Sequence, residues 1–307
     1  MALLLVQALN GLQLGVLLFL VAAGLTLVFG VLDVINLAHG VQYMLGAYAA
    51  ASIWQITGSF VLAVLAATAA CLVIGLLLEW VVFRNLRGGG HLEQVLATFG
   101  LILLAEETIR AVWGPAPLAL PVPDALSGTV ALMGLRYPAY RLVLLAAGLA
   151  VAALLWLVIE RTRAGMLVRA GATNAPMLSA LGVDIGRVFA MVLGAGAALA
   201  GFAGAMAAPL VSIEPGMGGA VLIPAFVVIV VGGAGSIRGA FLGAILVGLL
   251  ETMGRQLLGD GLHLVLSASA ARQAGPALAS MLTYVMMAIV LAVAPGGLLP
   301  ARGAARA

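Results

Sequence analysis

Asn36, His39 and Gln42 lie three residues apart, with Tyr43 four beyond His39. A helix through them would carry two amides, an imidazole and a phenol along one polar stripe. Such a stripe can exchange hydrogen bonds with a solute or hold an interrupted backbone. One histidine without the usual multi-ligand spacing is not a metal site. The stripe grows out of the run Phe29-Gly30-Val31-Leu32-Asp33-Val34-Ile35-Asn36-Leu37-Ala38-His39-Gly40. Residues 12–29 before it are apolar apart from small residues and Thr26, and residues 41–54 after it are again mostly apolar or small. In a membrane, a polar knot of this kind is tolerated only where neighbouring protein or water satisfies it. Lining a passage, holding the break and packing against neighbouring helices are the three roles open to these side chains.

A second interruption, Gly232-Gly233-Ala234-Gly235-Ser236-Ile237-Arg238-Gly239, divides the apolar stretch 220–250 into two short runs. That pattern fits a discontinuous or re-entrant pair better than one long helix. Both interruptions lead into similar strings, Leu45-Gly46-Ala47 and Leu242-Gly243-Ala244, so the two make a candidate inverted repeat with a midmembrane translocation site. The acids read differently. Glu106 precedes Arg110 by four residues and Glu251 precedes Arg255 by four, the favourable order for ion pairs on one helix face; substrate contact is the alternative for Glu106. Glu106 and Glu107 are adjacent on one helix rather than opposed across a cleft, so a hydrolase has no support. The glycine stretches lack the lysine followed by serine or threonine that a phosphate-binding loop requires. All fourteen basic residues are arginine.

Positioning these groups requires a membrane architecture. Of the 307 residues, 64% are hydrophobic and 8% charged, with a mean hydropathy of +1.23. Soluble domains carry roughly 25% charged residues, so the expected fold is all-α and polytopic, with about eight or nine transmembrane segments. The forty glycines suit helices that approach closely through small side chains. Cys71, the one cysteine, reads as a small buried hydrophobe. Residues 1–10 lack a basic region and a small-residue cleavage pattern, so the first hydrophobic stretch is expected to be retained. Spans are expected near 9–30, 40–56, 60–83, 92–112, 139–159, 188–208 and 277–293, besides the interrupted 220–250. Residues 113–138, with Pro115, Pro117, Pro121 and Pro123, form an external connection. Residues 160–187, carrying Arg161, Arg163, Arg169 and Arg187, form a central cytoplasmic loop by the positive-inside tendency. The loop 84–91 and the tail with Arg302 and Arg306 lie on the same side by that rule, which puts the amino terminus outside.

The landmarks Asn10-Gly11-Leu12, Ala22-Ala23-Gly24-Leu25-Thr26-Leu27-Val28-Phe29-Gly30, Ile35 to Gly40 and Tyr43 to Tyr48 resemble permease subunits of branched-chain amino acid ABC importers. Arg161 to Ala170 followed by Ala180-Leu181-Gly182-Val183 is similar to that family's central cytoplasmic segment, and Gly232 to Ala240 to its late glycine motif. These landmarks cover nearly the whole chain in order. The resemblance implies one transmembrane permease domain over 1–307 in a bacterial cytoplasmic (inner) membrane, surrounded by lipid and without nucleic acid. It implies a second, related permease as heterodimer partner, two cytoplasmic ATPase subunits holding ATP and Mg2+, and a periplasmic or surface-anchored solute-binding protein. No cofactor is expected in this chain, and it is not expected to be an enzyme. Energy coupling is carried over to the central segment, at Arg163, Gly165, Arg169, Asn174, Leu178 and Gly182; many relatives have an acid where this chain has Asn174. The translocation pathway or helix break is carried by Asn36, His39, Gln42, Tyr43, Gly232, Gly233, Gly235 and Ser236. Leucine, isoleucine and valine are the substrates the resemblance implies. Urea, short amides and other amino acids are alternatives within the family. An ion-coupled secondary transporter and a noncatalytic scaffold are the alternatives outside it.

Overall fold

The computed structural model describes residues 2–32, 34, 36–86, 89–132, 135–262 and 267–300. Asp33 in the polar knot, Arg87 and Gly88 in the charged loop, and Arg302 and Arg306 in the tail lie outside the described residues. Ten helices are described: α1 (Ala2–Leu32), α2 (His39–Thr57), α3 (Phe60–Leu86), α4 (His91–Trp113), α5 (Ala139–Arg161), α6 (Arg163–Ala180), α7 (Ile185–Ala207), α8 (Met217–Gly232), α9 (Ile237–Leu262) and α10 (Ala268–Val293). α1, α3, α5, α7 and α9 are long and apolar enough to cross a membrane, and shorter apolar helices cover Met217–Gly232 and Ala277–Val293. This is an all-α polytopic membrane protein.

Small residues set the packing. α1 rests against α7, α8 and α9, while α7 rests against α1, α2 and α3. α1 and α7 cross antiparallel at Gly24 and Gly196: a Cβ on Gly24 would stand 2.7 Å from the Gly196 carbonyl oxygen, and one on Gly196 would stand 3.1 Å from that of Gly24. Below this crossing Val28, Val31 and Val34 pack with Val188, Phe189 and Val192. α2 and α8 meet in the same reciprocal way through Gly40 and Gly218, each excluding a side chain on the other. Both crossings set glycine backbone directly against glycine backbone, the close approach that small residues allow.

Three expectations are corrected. The run after Gly235 is not short, because α9 continues for 26 residues to Leu262. Arg110 pairs with Glu107 rather than Glu106. Residues 160–187 are largely helical, since Thr162 caps α6 by accepting from the Gly165 amide. The connection after α4 holds a small antiparallel hairpin, β1 (Thr129–Leu132) with β2 (Leu135–Pro138), pairing Val130 with Tyr137. The expected pair of Glu251 and Arg255 is present.

The hairpin end is tied by polar contacts. The Tyr137 hydroxyl and Arg141 Nη1 both donate to Asn10 Oδ1, at 2.9 and 2.6 Å. Burial pushes the Tyr137 phenol above its ordinary pKa, and Arg141 opposes the shift. Trp113 Nε1 donates to Ser52 Oγ at 2.7 Å and its ring lies 5.3 Å from that of Tyr48, which fastens α4 to α2.

Candidate functional site

The polar knot sits inside the bundle. Asn36, His39 and Gln42 are fully buried and Tyr43 nearly so. His39 Nε2 lies 3.1 Å from the Val21 carbonyl oxygen; a carbonyl only accepts, so the proton resides on Nε2 and Nδ1 keeps its lone pair. The ring occupies the space left by Gly24, where a Cβ would be 2.9 Å from both Cε1 and Nε2. His39 therefore fixes the start of α2 against the middle of α1. Both amide atoms of Asn36, both of Gln42, and His39 Nδ1 are buried without hydrogen-bond partners. Interior polar groups of this kind ordinarily find partners, so the knot holds unspent hydrogen-bonding capacity at the junction of α1, α2, α7 and α8. Tyr43 contributes mainly through its backbone, whose carbonyl excludes a side chain at Gly204.

The glycine break is a separate construction. Gly233 (φ +109°) and Gly235 (φ +76°) reverse the chain between α8 and α9, in a conformation that L side chains resist. Ser236 caps α9: its Oγ accepts from the Gly239 amide at 3.1 Å and its carbonyl from Ala240 at 2.8 Å. Gly232 packs against the backbone of Gly239. The last carbonyls of α8 are met by the segment after α10, with Leu298 N donating to Val231 O at 2.8 Å and Leu299 N to Gly232 O at 3.0 Å. A Cβ on Gly30 of α1 would lie 2.9 Å from Gly235 Cα. Both interruptions thus rest on α1, at Gly24 and Gly30, about 9 Å apart along its axis.

The six residues expected to couple energy lie together on one helix and its turn. Gly165 makes the tight joint between α5 and α6, where a Cβ would strike the Val158 and Ile159 carbonyls. Arg163 is exposed at the start of α6. Asn174 is extended (φ −159°, ψ 88°) and kinks α6, and its Oδ1 accepts from the Met177 amide at 2.9 Å. It is the N-cap of a second short helix, a role that aspartate performs equally well. Gly182 (φ +84°) ends that helix, with Gly182 N bonded to Ser179 O at 2.9 Å and Val183 N to Leu178 O at 3.3 Å. This is a Schellman closure, with Leu178 buried beneath it. Met177 and Leu181 project from the turn, 62% and 73% exposed.

Two of these constructions are joined by a residue whose role sequence reasoning missed. Glu160, at the end of α5, accepts from Arg238 Nη2 at 2.7 Å and lies 3.9 Å from Arg169 Nη1. Arg238 is the second residue of α9, directly after the glycine break, and Arg169 belongs to α6. The available signal was Glu160 at the head of the arginines of 160–187, the other acid there, Asp184, pairing locally with Arg187.

Over residues 7–291 the sequence matches the family described as the permease component of a branched-chain amino acid transport system. The chain belongs to this family. It is 33% identical to the high-affinity branched-chain amino acid transport system permease protein BraD of Pseudomonas aeruginosa, covering 83% of this chain and 87% of that protein. The corresponding LivH of Escherichia coli K12 is 28% identical over 95% of this chain and 94% of its own length. A probable LivH of Methanocaldococcus jannaschii is 27% identical over 77% and 76%. No solved structure matches the chain. The permease thus presents a buried polar knot, a strapped glycine break and a projecting helix-turn, arranged around α1 and α6.

Proposed function

We propose that this chain is the membrane-spanning subunit of an ATP-driven importer of branched-chain amino acids, leucine, isoleucine and valine. It works by alternating access, paired with a second related permease, powered by two cytoplasmic ATPase subunits and supplied by a solute-binding protein. The observation that carries this reading beyond family membership is the turn at 174–182. Two large apolar side chains stand exposed on a capped, closed helix-turn, flanked by arginines, and exposed apolar groups on such a rigid projection suit a partner surface. The ATPase subunits would grip Met177 and Leu181. Displacement of α6 then reaches α9 through Arg169, Glu160 and Arg238, which moves the strapped break against α1. The knot holds the start of α2 while the helices around it rock. ATP and Mg2+ act in the partner subunits; this chain supplies no lysine for a phosphate loop and is a noncatalytic part of the machine.

The orientation follows from charge. Arg84, Arg161, Arg163, Arg169, Arg187 and Arg238 gather at the end where Phe83, Val168 and Val188 pack together. The positive-inside tendency makes that end cytoplasmic. The amino terminus then lies outside and the carboxyl terminus inside a bacterial inner membrane.

The test is reconstitution of the purified complex in proteoliposomes with its binding protein, following radiolabelled leucine. Uptake that requires both ATP and the binding protein is expected. Uptake driven by a proton or sodium gradient without ATP would overturn the reading in favour of a secondary carrier.

A further inference from the structure

A second polar construction lies away from the knot, between α8, α9 and α10. A cavity of about 40 Å3 is lined by Pro224, Val227, Glu251, Ser280, Thr283 and Tyr284. Roughly 10–15 Å3 on this scale admits one water, so the space takes a group the size of an ammonium with its attached carbon. Its chemistry is biased toward acceptors: one carboxylate, three hydroxyls, and a proline that has no N–H to offer. Thr283 is only 5% exposed, and its Oγ1 has no partner. Glu251 and Arg255 pair one helical turn apart on α9, with side chains 15% and 52% exposed. Both lie within the membrane-spanning stretch Ile237–Gly259, Glu251 about 21 Å from its start. Charges at that depth facing lipid would be costly, and they mark a water-filled or protein-covered route.

We infer that Glu251, Thr283 and Arg255 form a subsite for the zwitterionic head of an α-amino acid, an inference that rests on the importer reading. The ammonium enters the cavity and is held by the Glu251 carboxylate and the Thr283 and Ser280 hydroxyls. The carboxylate takes the Arg255 guanidinium, and the aliphatic side chain lies toward Val227 and Pro224. Binding exchanges one internal ion pair for two with the solute, so no charge is left unpaired in a low-dielectric passage. Urea and short amides, which carry no ammonium, cannot make this exchange.

The test compares the assembled complex with its Glu251→Gln and Thr283→Val variants in proteoliposomes, using the leucine-loaded binding protein at saturation. The readout is leucine transported per ATP hydrolysed. A fall of at least tenfold with Glu251→Gln and at least threefold with Thr283→Val is expected, while ATP hydrolysis stimulated by the loaded binding protein persists. A wild-type ratio in both variants overturns the subsite, and so does parallel loss of hydrolysis and uptake from a normally assembled complex. If Glu251→Gln fails to assemble, Thr283→Val decides alone, since that change preserves side-chain shape. Failure of wild-type complex to move leucine with ATP would instead refute the importer reading itself.

Discussion

Replacing Gly24 with alanine tests the packing of the knot against α1. The added Cβ would stand 2.7 Å from the Gly196 carbonyl oxygen and 2.9 Å from two atoms of the His39 ring. The first obstacle is backbone of a packed helix and the second a ring tied to Val21, so neither yields cheaply. Overpacking of a filled interior costs about 1–3 kcal/mol. If the ring moves away from Val21, a buried donor is also left unsatisfied, for about 1–3 kcal/mol more. Gly100 in α4 supplies the control, because a Cβ there meets nothing within 4 Å. In an exposed helix interior the same substitution gains about 0.8–1 kcal/mol from propensity alone. Unfolding of the purified permease in detergent, followed by denaturant titration, should separate the two variants by at least about 2 kcal/mol. His39→Ala relieves part of the clash, so the double variant with Gly24→Ala should be less unstable than the sum of the single changes. Equal stability of Gly24→Ala and Gly100→Ala would falsify the argument.

Three other outcomes are expected. Gly233→Leu should abolish ATP-driven uptake at normal membrane abundance, because φ is +109° there and a Cβ would lie 2.8 Å from the Gly296 carbonyl oxygen; wild-type uptake would show that the break is not constrained. Glu160→Gln should change stability by less than about 1 kcal/mol, since both of its pairs are partly exposed, yet lower leucine uptake several-fold at unchanged ATPase binding; unaltered uptake would remove Glu160 from the transmission path. Asn174→Asp should retain full coupling, whereas Asn174→Ala should lose about 1 kcal/mol of cap and weaken copurification of the ATPase subunits; equal recovery from both would reject the cap as the relevant feature.

What could be read in the sequence was whatever composition or a local signal carries. The apolar runs announced the spans, and the knot and the glycine string announced both interruptions, because Asn, His and clustered Gly are expensive inside a membrane helix. Register between distant helices has no such signal. Gly40 meets Gly218 and Gly24 meets Gly196 across more than 170 residues, and nothing in the flanking residues distinguishes these glycines from Gly46 or Gly243. The helical nature of α6 was hidden by its polarity, which reads as a loop until Thr162 and Asn174 are recognised as caps. Glu106 and Glu107 were equally eligible partners for Arg110 by spacing. Only side-chain direction on α4 separates them.

The placement of both interruptions on α1 bears on how the permease can move. The knot engages α1 at Val21 and Gly24 through a buried hydrogen bond and a filled gap, whereas the glycine break touches it at Gly30 through backbone alone. The first contact resists sliding, because moving His39 strands a polar donor; the second opposes nothing but a close approach. α9 is also held by Arg238 at one end and by the strap of Leu298 and Leu299 through α8. Beyond the break α9 lies along α1 with backbone close to backbone, Gly248 against Gly11 and Gly15, and Phe241 edge-on to Phe19. These contacts favour α1 and α9 moving together, with the start of α2 tied to them at His39. Any displacement of this pair relative to α8 carries Glu251 past Pro224 and Val227, the other wall of its cavity, so on the proposed mechanism a push from ATPase subunits would also reshape the proposed seat of the solute head.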